Sequence, residues 1–186
     1  MEAFSDGVLA IVITIMVLEM RAPQGPDLVA LWPLTPVFLS YLLSFLFLGI
    51  YWNNHHHLFQ VVEKVDGRVL WANLHLLFWL SLIPFVTAWM GRNEFAPWPV
   101  AIYGVALVMA AVAFFILTRA LLALHAPDST LARALGRDFK GKVSVALYVA
   151  AVPLAFVSVW LALALFVVVA LIWIVPDTRI ERTIAK

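Results

Sequence analysis

Of 186 residues, 65% are hydrophobic and 12% charged, with 12 Lys+Arg against 11 Asp+Glu, a formal net charge of +1 and no cysteine. An ordinary soluble domain is roughly 45–50% apolar and about 25% charged, so a water-facing globule is excluded, and the mean hydropathy of +1.00 makes lipid the main solvent. The near-neutral balance gives no basic face for nucleic acid; the missing cysteines exclude disulfides, zinc–thiolate sites, Fe–S clusters and cysteine nucleophiles.

A membrane-crossing helix needs about 20 mostly apolar residues. The charge-free stretches predict six of them, at about 4–20, 35–58, 68–91, 97–119, 141–157 and 160–176, making residues 1–186 a single all-α, multi-pass membrane domain. The first span is short and carries Ser5 and Asp6 in its first turn. On a wheel of 100° per residue, Val8, Ile11, Ile15 and Leu18 form a branched aliphatic stripe within roughly 80° of arc, flanked by Gly7 and Thr14. Asp6 lies about 140° from Ile11 on the same wheel and cannot share that face. The segment has no basic n-region, and Arg21-Ala22-Pro23 is a poor cleavage context, so it is read as mature protein and not as a signal peptide.

The second span ends in Asn53-Asn54-His55-His56-His57, and the third opens with Asn73 and His75. Ionisable groups inside a span are costly and functional by default. Ser5-Asp6, the histidine run and Asn73/His75 all fall toward one end of the bundle, where they could meet in one hydrogen-bonded knot, with His or Asn donors pairing the carboxylate. Consecutive histidines point about 100° apart on a helix, so the triplet cannot jointly hold one ion. No metal site and no cofactor are expected.

After the fourth span comes the longest polar segment, from Leu124 to Gly141. Asp128 or Ser129 after Pro127 is placed to N-cap a short interfacial helix, with Leu131, Leu135 and Phe139 on one side and Arg133 and Arg137 elsewhere. The last charge-free stretch, between Lys142 and Asp177, holds 34 residues. As one helix it would run about 51 Å, too long for a hydrocarbon core of about 30 Å. It is therefore divided near Ser158–Trp160, with Pro153 kinking the first half.

With both termini cytoplasmic, the outer loops contain only Arg21 and Arg92. The inner segments hold Lys64, Arg68, Arg119, Arg133, Arg137, Lys140, Lys142, Arg179, Arg182 and Lys186, which accounts for all 12 basic residues and satisfies the positive-inside rule. Trp32, Trp89, Trp98 and Trp160 fall near the outer boundary and Trp52, Trp71 and Trp173 near the inner one, as an aromatic belt requires. This is a multi-pass protein of the cell (inner) membrane, with the bilayer as its partner and no nucleic acid or soluble substrate. The residues alone leave three functions open: a channel, a proton- or metal-coupled transporter using Asp6 and the histidines of the second and third spans, and a structural membrane protein. An enzyme would need a nucleophile or metal with a water pocket, and neither is visible.

Phe4-Ser5-Asp6-Gly7-Val8-Leu9-Ala10-Ile11 resembles the F-S-D-x-x-x-A-I signature that opens the first helix of the transmembrane protein 175 family. Trp52…His55-His56 and Asn73-Leu74…Pro84-Phe85…Thr87 resemble that family's second and third helices, so the similarity spans essentially the whole chain. The resemblance implies a potassium channel, modestly selective for K⁺ over Na⁺, without a T-V-G-Y-G filter and with no cofactor beyond the permeating K⁺. It implies a homotetramer whose pore is lined by the first helix of each subunit. The constriction would fall at Ile11, with further apolar rings at Ile15 and Leu18, and ion selectivity would fall to Thr14; Ser5 and Asp6 would belong to a structural polar network with the second and third helices, for which His56, Asn73 and His75 are the candidates. The arginine that the family usually carries four residues before this Phe has no counterpart in the 186 residues.

Overall fold

Helix boundaries in this chain follow its prolines and polar caps. The computed structural model describes residues 1–127, 129–135 and 139–174, the side chains of 133–135 excepted, and among them every regular element is helical. The side chains of Asp128, Arg133 and Arg137, the basic residues Arg179, Arg182 and Lys186, and the last two residues of the sixth expected span lie outside the described residues.

Helix α1 (Glu2–Leu18) leads through a 3-10 segment (Leu28–Leu34) into α2 (Thr35–Gln60), whose first turn holds Pro36 and whose Thr35 hydroxyl donates to Trp32 O at 2.8 Å. At 26 residues, α2 is about 39 Å long, so its polar end, Asn53–Gln60, reaches beyond a hydrocarbon core of about 30 Å. Asp66 caps α3 (Gly67–Ser81), accepting from Val69 N at 2.9 Å. The expected third span is a bent rod: it breaks at Leu82 and resumes as α4 (Ile83–Arg92). Pro84, in the first turn of α4, has no N–H to give to the preceding turn, which accounts for the bend.

The chain continues into α5 (Pro97–Leu124), the short α6 (Thr130–Leu135), α7 (Phe139–Leu154) and α8 (Val159–Ile174). Ser129 caps α6, its hydroxyl accepting from Ala132 N at 3.2 Å. Phe139 does not continue that short helix; it opens α7. The α7–α8 turn falls at 155–158, closed by Ser158 N donating to Leu154 O at 2.8 Å. Trp98 on Phe156 (4.9 Å) and Phe95 on Trp160 (6.0 Å) seat that turn beside the α4–α5 loop. The rods 28–60, 67–92 and 97–124 are long and apolar enough to cross a membrane, and Val159–Ile174 is a shorter apolar helix.

The core is built around α5. Its Ala106, Leu107, Ala110, Ala113, Leu117 and Leu121 are buried against α3, α4, α7 and α8, the small residues letting backbones approach closely. Gly91 on α4 serves the same end. A Cβ there would stand 2.7 Å from Val37 Cα and 3.0 Å from Ser40 Oγ, so α4 and α2 could not lie this close with any other residue. Ser44 ties three helices together, lying 2.7 Å from the Thr87 hydroxyl and donating to Tyr103 Oη at 3.1 Å.

Candidate functional site

Helix α1 has two faces. Ser5, Leu9, Val12 and Met16 recur at helical spacing and are buried against α2, α3 and α4. Taking Ser5 as the zero of the wheel, Thr14 lies at about 180°, Gly7 at about 200°, Leu18 at about 220°, Ile11 at about 240° and Ile15 at about 280°. The exposures follow that order outward from the core: Ile15 is 41% exposed, Ile11 59% and Leu18 81%. Thr14 is exposed as well, its hydroxyl donating to Ile11 O at 2.9 Å. The two isoleucines also edge a cleft of about 780 Å³ between α1 and α4, shared with Pro84, Phe85 and Trp89.

Both ends of α1 are anchored. At the first turn, Ser5, Asn73 and His55 are all buried and form one directional chain. Asn73 Nδ2 donates to Ser5 Oγ at 2.9 Å, and Ser5 Oγ donates onward to Met1 O at 3.3 Å. Asn73 Oδ1 lies 2.8 Å from His55 Nε2. An amide oxygen only accepts, so Nε2 carries the imidazole proton. Nδ1 is then an acceptor, and it has no partner among the described residues. At the other end, the Arg92 guanidinium pairs with the Glu19 carboxylate and reaches Glu19 O at 3.3 Å.

A second, more exposed set surrounds the first. Trp52 donates its indole N–H to Asp6 Oδ1 at 2.9 Å and stacks on His56 at 5.6 Å. His56 Nε2 takes an N–H from the Gln60 amide at 2.9 Å, which leaves Nδ1 to donate to Glu2 Oε1 at 2.7 Å. The structure thus brings Ser5 and Asn73 together, and places Asp6 and His56 beside them with Trp52 and Glu2 as their respective partners. His75 stands apart, accepting from Trp79 of its own helix at 3.0 Å.

The expected network names His56 where the buried partner is His55, and it does not include Trp52, Glu2, Gln60 or the Glu19–Arg92 pair. A wheel of α2 contained the first of these. The buried positions Ser40, Ser44, Phe47, Leu48, His55 and Leu58 advance at helical spacing, and that progression reaches His55, not His56. Among the described residues no three His, Asp or Glu side chains converge on a common point; His56 and His57 share the Gln60 amide, while His55 and His75 turn to Asn73 and Trp79.

Residues 1–84 match the family described as "Endosomal/lysosomal potassium channel TMEM175". A potassium channel of Chryseobacterium sp. (strain P1-3) is 50% identical over 100% of this chain and 97% of its own length. A potassium channel of Chamaesiphon minutus is 32% identical over 91% of this chain and 90% of its own. The crystal structure of a lysosomal potassium-selective channel TMEM175 homolog from Chamaesiphon minutus superposes with a TM-score of 0.78 at 31% identity, covering 92% of this chain and 93% of that one. The endosomal/lysosomal proton channel TMEM175 of Homo sapiens is 34% identical over 53% of this chain and 21% of its own length.

Proposed function

The chain belongs to the TMEM175 channel family, and from that premise we propose that it is a K⁺-selective channel, not an enzyme or a coupled transporter, whose pore is lined by α1 of four identical chains. The observation that carries this reading is the outward face of α1. Ile11, Thr14 and Leu18 are exposed on the side opposite the subunit's own core, while both ends of the helix are anchored to α2, α3 and α4. A helix held at its ends and bare along one face is suited to meet its own copies around an axis.

In such a ring the branched side chains of Ile11, with Ile15 and Leu18 further along, narrow the path without offering ligands. A hydrophobic constriction gates by dewetting and makes an ion shed part of its hydration shell. That favours K⁺, the more loosely hydrated ion, by a modest factor. Thr14 adds a specific element. Its proton is turned to Ile11 O, so the hydroxyl oxygen keeps its lone pairs for a partly dehydrated cation. The homotetramer, the six passes with both termini cytoplasmic, and residence in the cell membrane complete the proposal. The whole-length relatives are named potassium channels, whereas the human proton channel matches about half of this chain; K⁺ is therefore the assigned ion.

Planar-bilayer currents under bi-ionic K⁺/Na⁺ conditions test it. Ile11→Asn is expected to wet the constriction and raise conductance, and Thr14→Ala to lower the K⁺/Na⁺ permeability ratio. Unchanged conductance and reversal potentials in both variants would remove α1 from the conduction path.

A further inference from the structure

A cavity of about 360 Å³ opens between α2, α5, α7 and α8, at the end of the bundle where α2 and α5 finish and α7 begins. Its origin is steric. Large rings bridge α2 to its neighbours here: Phe47 meets Tyr148 edge-on at 5.9 Å, and Tyr51 meets Phe114 at 6.2 Å. Rings of this size hold the helices apart, and the space beside them is not refilled.

Of the polar side chains on the cavity wall, which include the Tyr51 and Tyr148 hydroxyls, three are turned into the protein. The Thr118 hydroxyl donates to Phe115 O and the Asn54 amide to Ile50 O, both at 2.8 Å. Ser144 donates to Lys140 O and accepts from the Trp173 indole, also at 2.8 Å each. Most of the lining is aliphatic or aromatic, so the interior suits hydrocarbon.

The mouth has the opposite character. Lys142 lines it. The Arg119 guanidinium lies 5.1 Å over the Phe115 ring and the Lys140 ammonium 6.0 Å over the Trp173 ring, both rings being part of the wall. No carboxylate lines the cavity, and among the described residues neither Arg119 nor Lys142 is paired with one.

A slot of hydrocarbon rimmed by cations is complementary to an amphiphile with an apolar chain and an anionic head. We propose that this cavity binds an anionic phospholipid, with one acyl chain between α2 and α5 and the headgroup phosphate against Arg119 and Lys142. A zwitterionic lipid would fill the slot but gain little from the rim, and a soluble anion would leave the interior empty. The basic residues place this end at the cytoplasmic leaflet, where anionic lipids attract such clusters. No residue of α1 lines the site, and its occupancy does not depend on conduction.

Native mass spectrometry of the purified full-length protein in detergent tests this, with phosphatidylglycerol and phosphatidylcholine of matched acyl chains as probes and inorganic phosphate as competitor. Each cation is worth roughly fivefold in affinity for an anionic headgroup. The double variant Arg119→Gln/Lys142→Gln should thus lose about 25-fold in phosphatidylglycerol retention while holding phosphatidylcholine as before. Ala111→Phe, which fills the slot, should release both lipids; Val112→Phe serves the same purpose if the first variant does not fold. Equal retention of the two lipids by the native protein overturns the proposal. So does lipid binding that survives the filled slot, or displacement of phosphatidylglycerol by millimolar phosphate alone.

Discussion

Replacing Asn73 by leucine keeps the volume and removes the centre of the His55–Asn73–Ser5 chain. Two partners are then affected unequally. Ser5 keeps its bond to Met1 O at 3.3 Å, whereas the His55 imidazole, whose Nδ1 already lacks a partner, loses the acceptor of its remaining proton. Interhelical hydrogen bonds in membranes average only about 0.6 kcal/mol, so two such bonds by themselves predict roughly 1 kcal/mol. A buried polar group left unsatisfied costs about 1–3 kcal/mol more, and the imidazole is such a group. The expected loss is therefore about 2–4 kcal/mol, or roughly 4–16 °C in melting temperature for a chain of this size, read by thermal unfolding in detergent. The double variant Asn73→Leu/His55→Leu supplies the decisive comparison. Removing both partners of a buried pair is close to neutral when shape is kept, so the second substitution should restore more than half of what the first one lost. A melting temperature for Asn73→Leu within a degree of the native value, or losses that simply add in the double variant, would show that the relay does not hold α1.

Three further outcomes use the same preparations. Gly91→Ala should cost about 1–3 kcal/mol, because its Cβ meets the α2 backbone at Val37; Gly104→Ala, which meets only the tips of Phe166 and Val152, should cost less, and the two melting curves rank them. Glu94→Gly should raise the melting temperature, because Glu94 sits at φ 49° and the left-handed conformation costs a side-chain-bearing residue about 1–2 kcal/mol. Asp6→Ala removes the acceptor of the Trp52 indole and should reduce tetramer yield on size-exclusion chromatography while leaving the K⁺/Na⁺ permeability ratio of the surviving channels unchanged.

The gross fold was legible because lipid leaves so few alternatives. Charge-free length placed the rods, and the Asp66 and Ser129 caps are side chains of the kind that start helices. The division of the last stretch followed from bilayer thickness, although the turn at 155–158 falls a few residues before the expected break. What stayed hidden was decided by tertiary contact. Pro84 stood in plain view inside the third span, yet only the packing of α4 on α2 at Gly91 gives the bend a reason. The pairing of Glu19 with Arg92 joins residues 73 positions apart, and local pattern carries no trace of it. Depth in the membrane is the same for His55 and His56 and cannot separate them, whereas the helical line through Ser40, Ser44, Phe47 and Leu48 reaches His55 and not His56.

The face of α1 poses a subtler problem, since an apolar side chain exposed on a membrane subunit can face lipid, a second copy or a pore, and hydropathy is the same in each case. Helix α8 shows what a face without special demands looks like: apart from the indole of Trp160 at its first turn, its exposed positions Leu161, Ala164, Val167, Val168, Leu171 and Ile174 carry no polar group. On α1 the line opposite the core runs through Gly7, Ala10 and Thr14 instead, small residues at helical spacing, with Ile11 and Leu18 beside them. Small side chains in such a row let helices approach closely, which lipid does not require. Close approach followed by branched bulk supports the proposed pore-lining role of α1 through the order of its small and large residues, and not through their shared hydrophobicity.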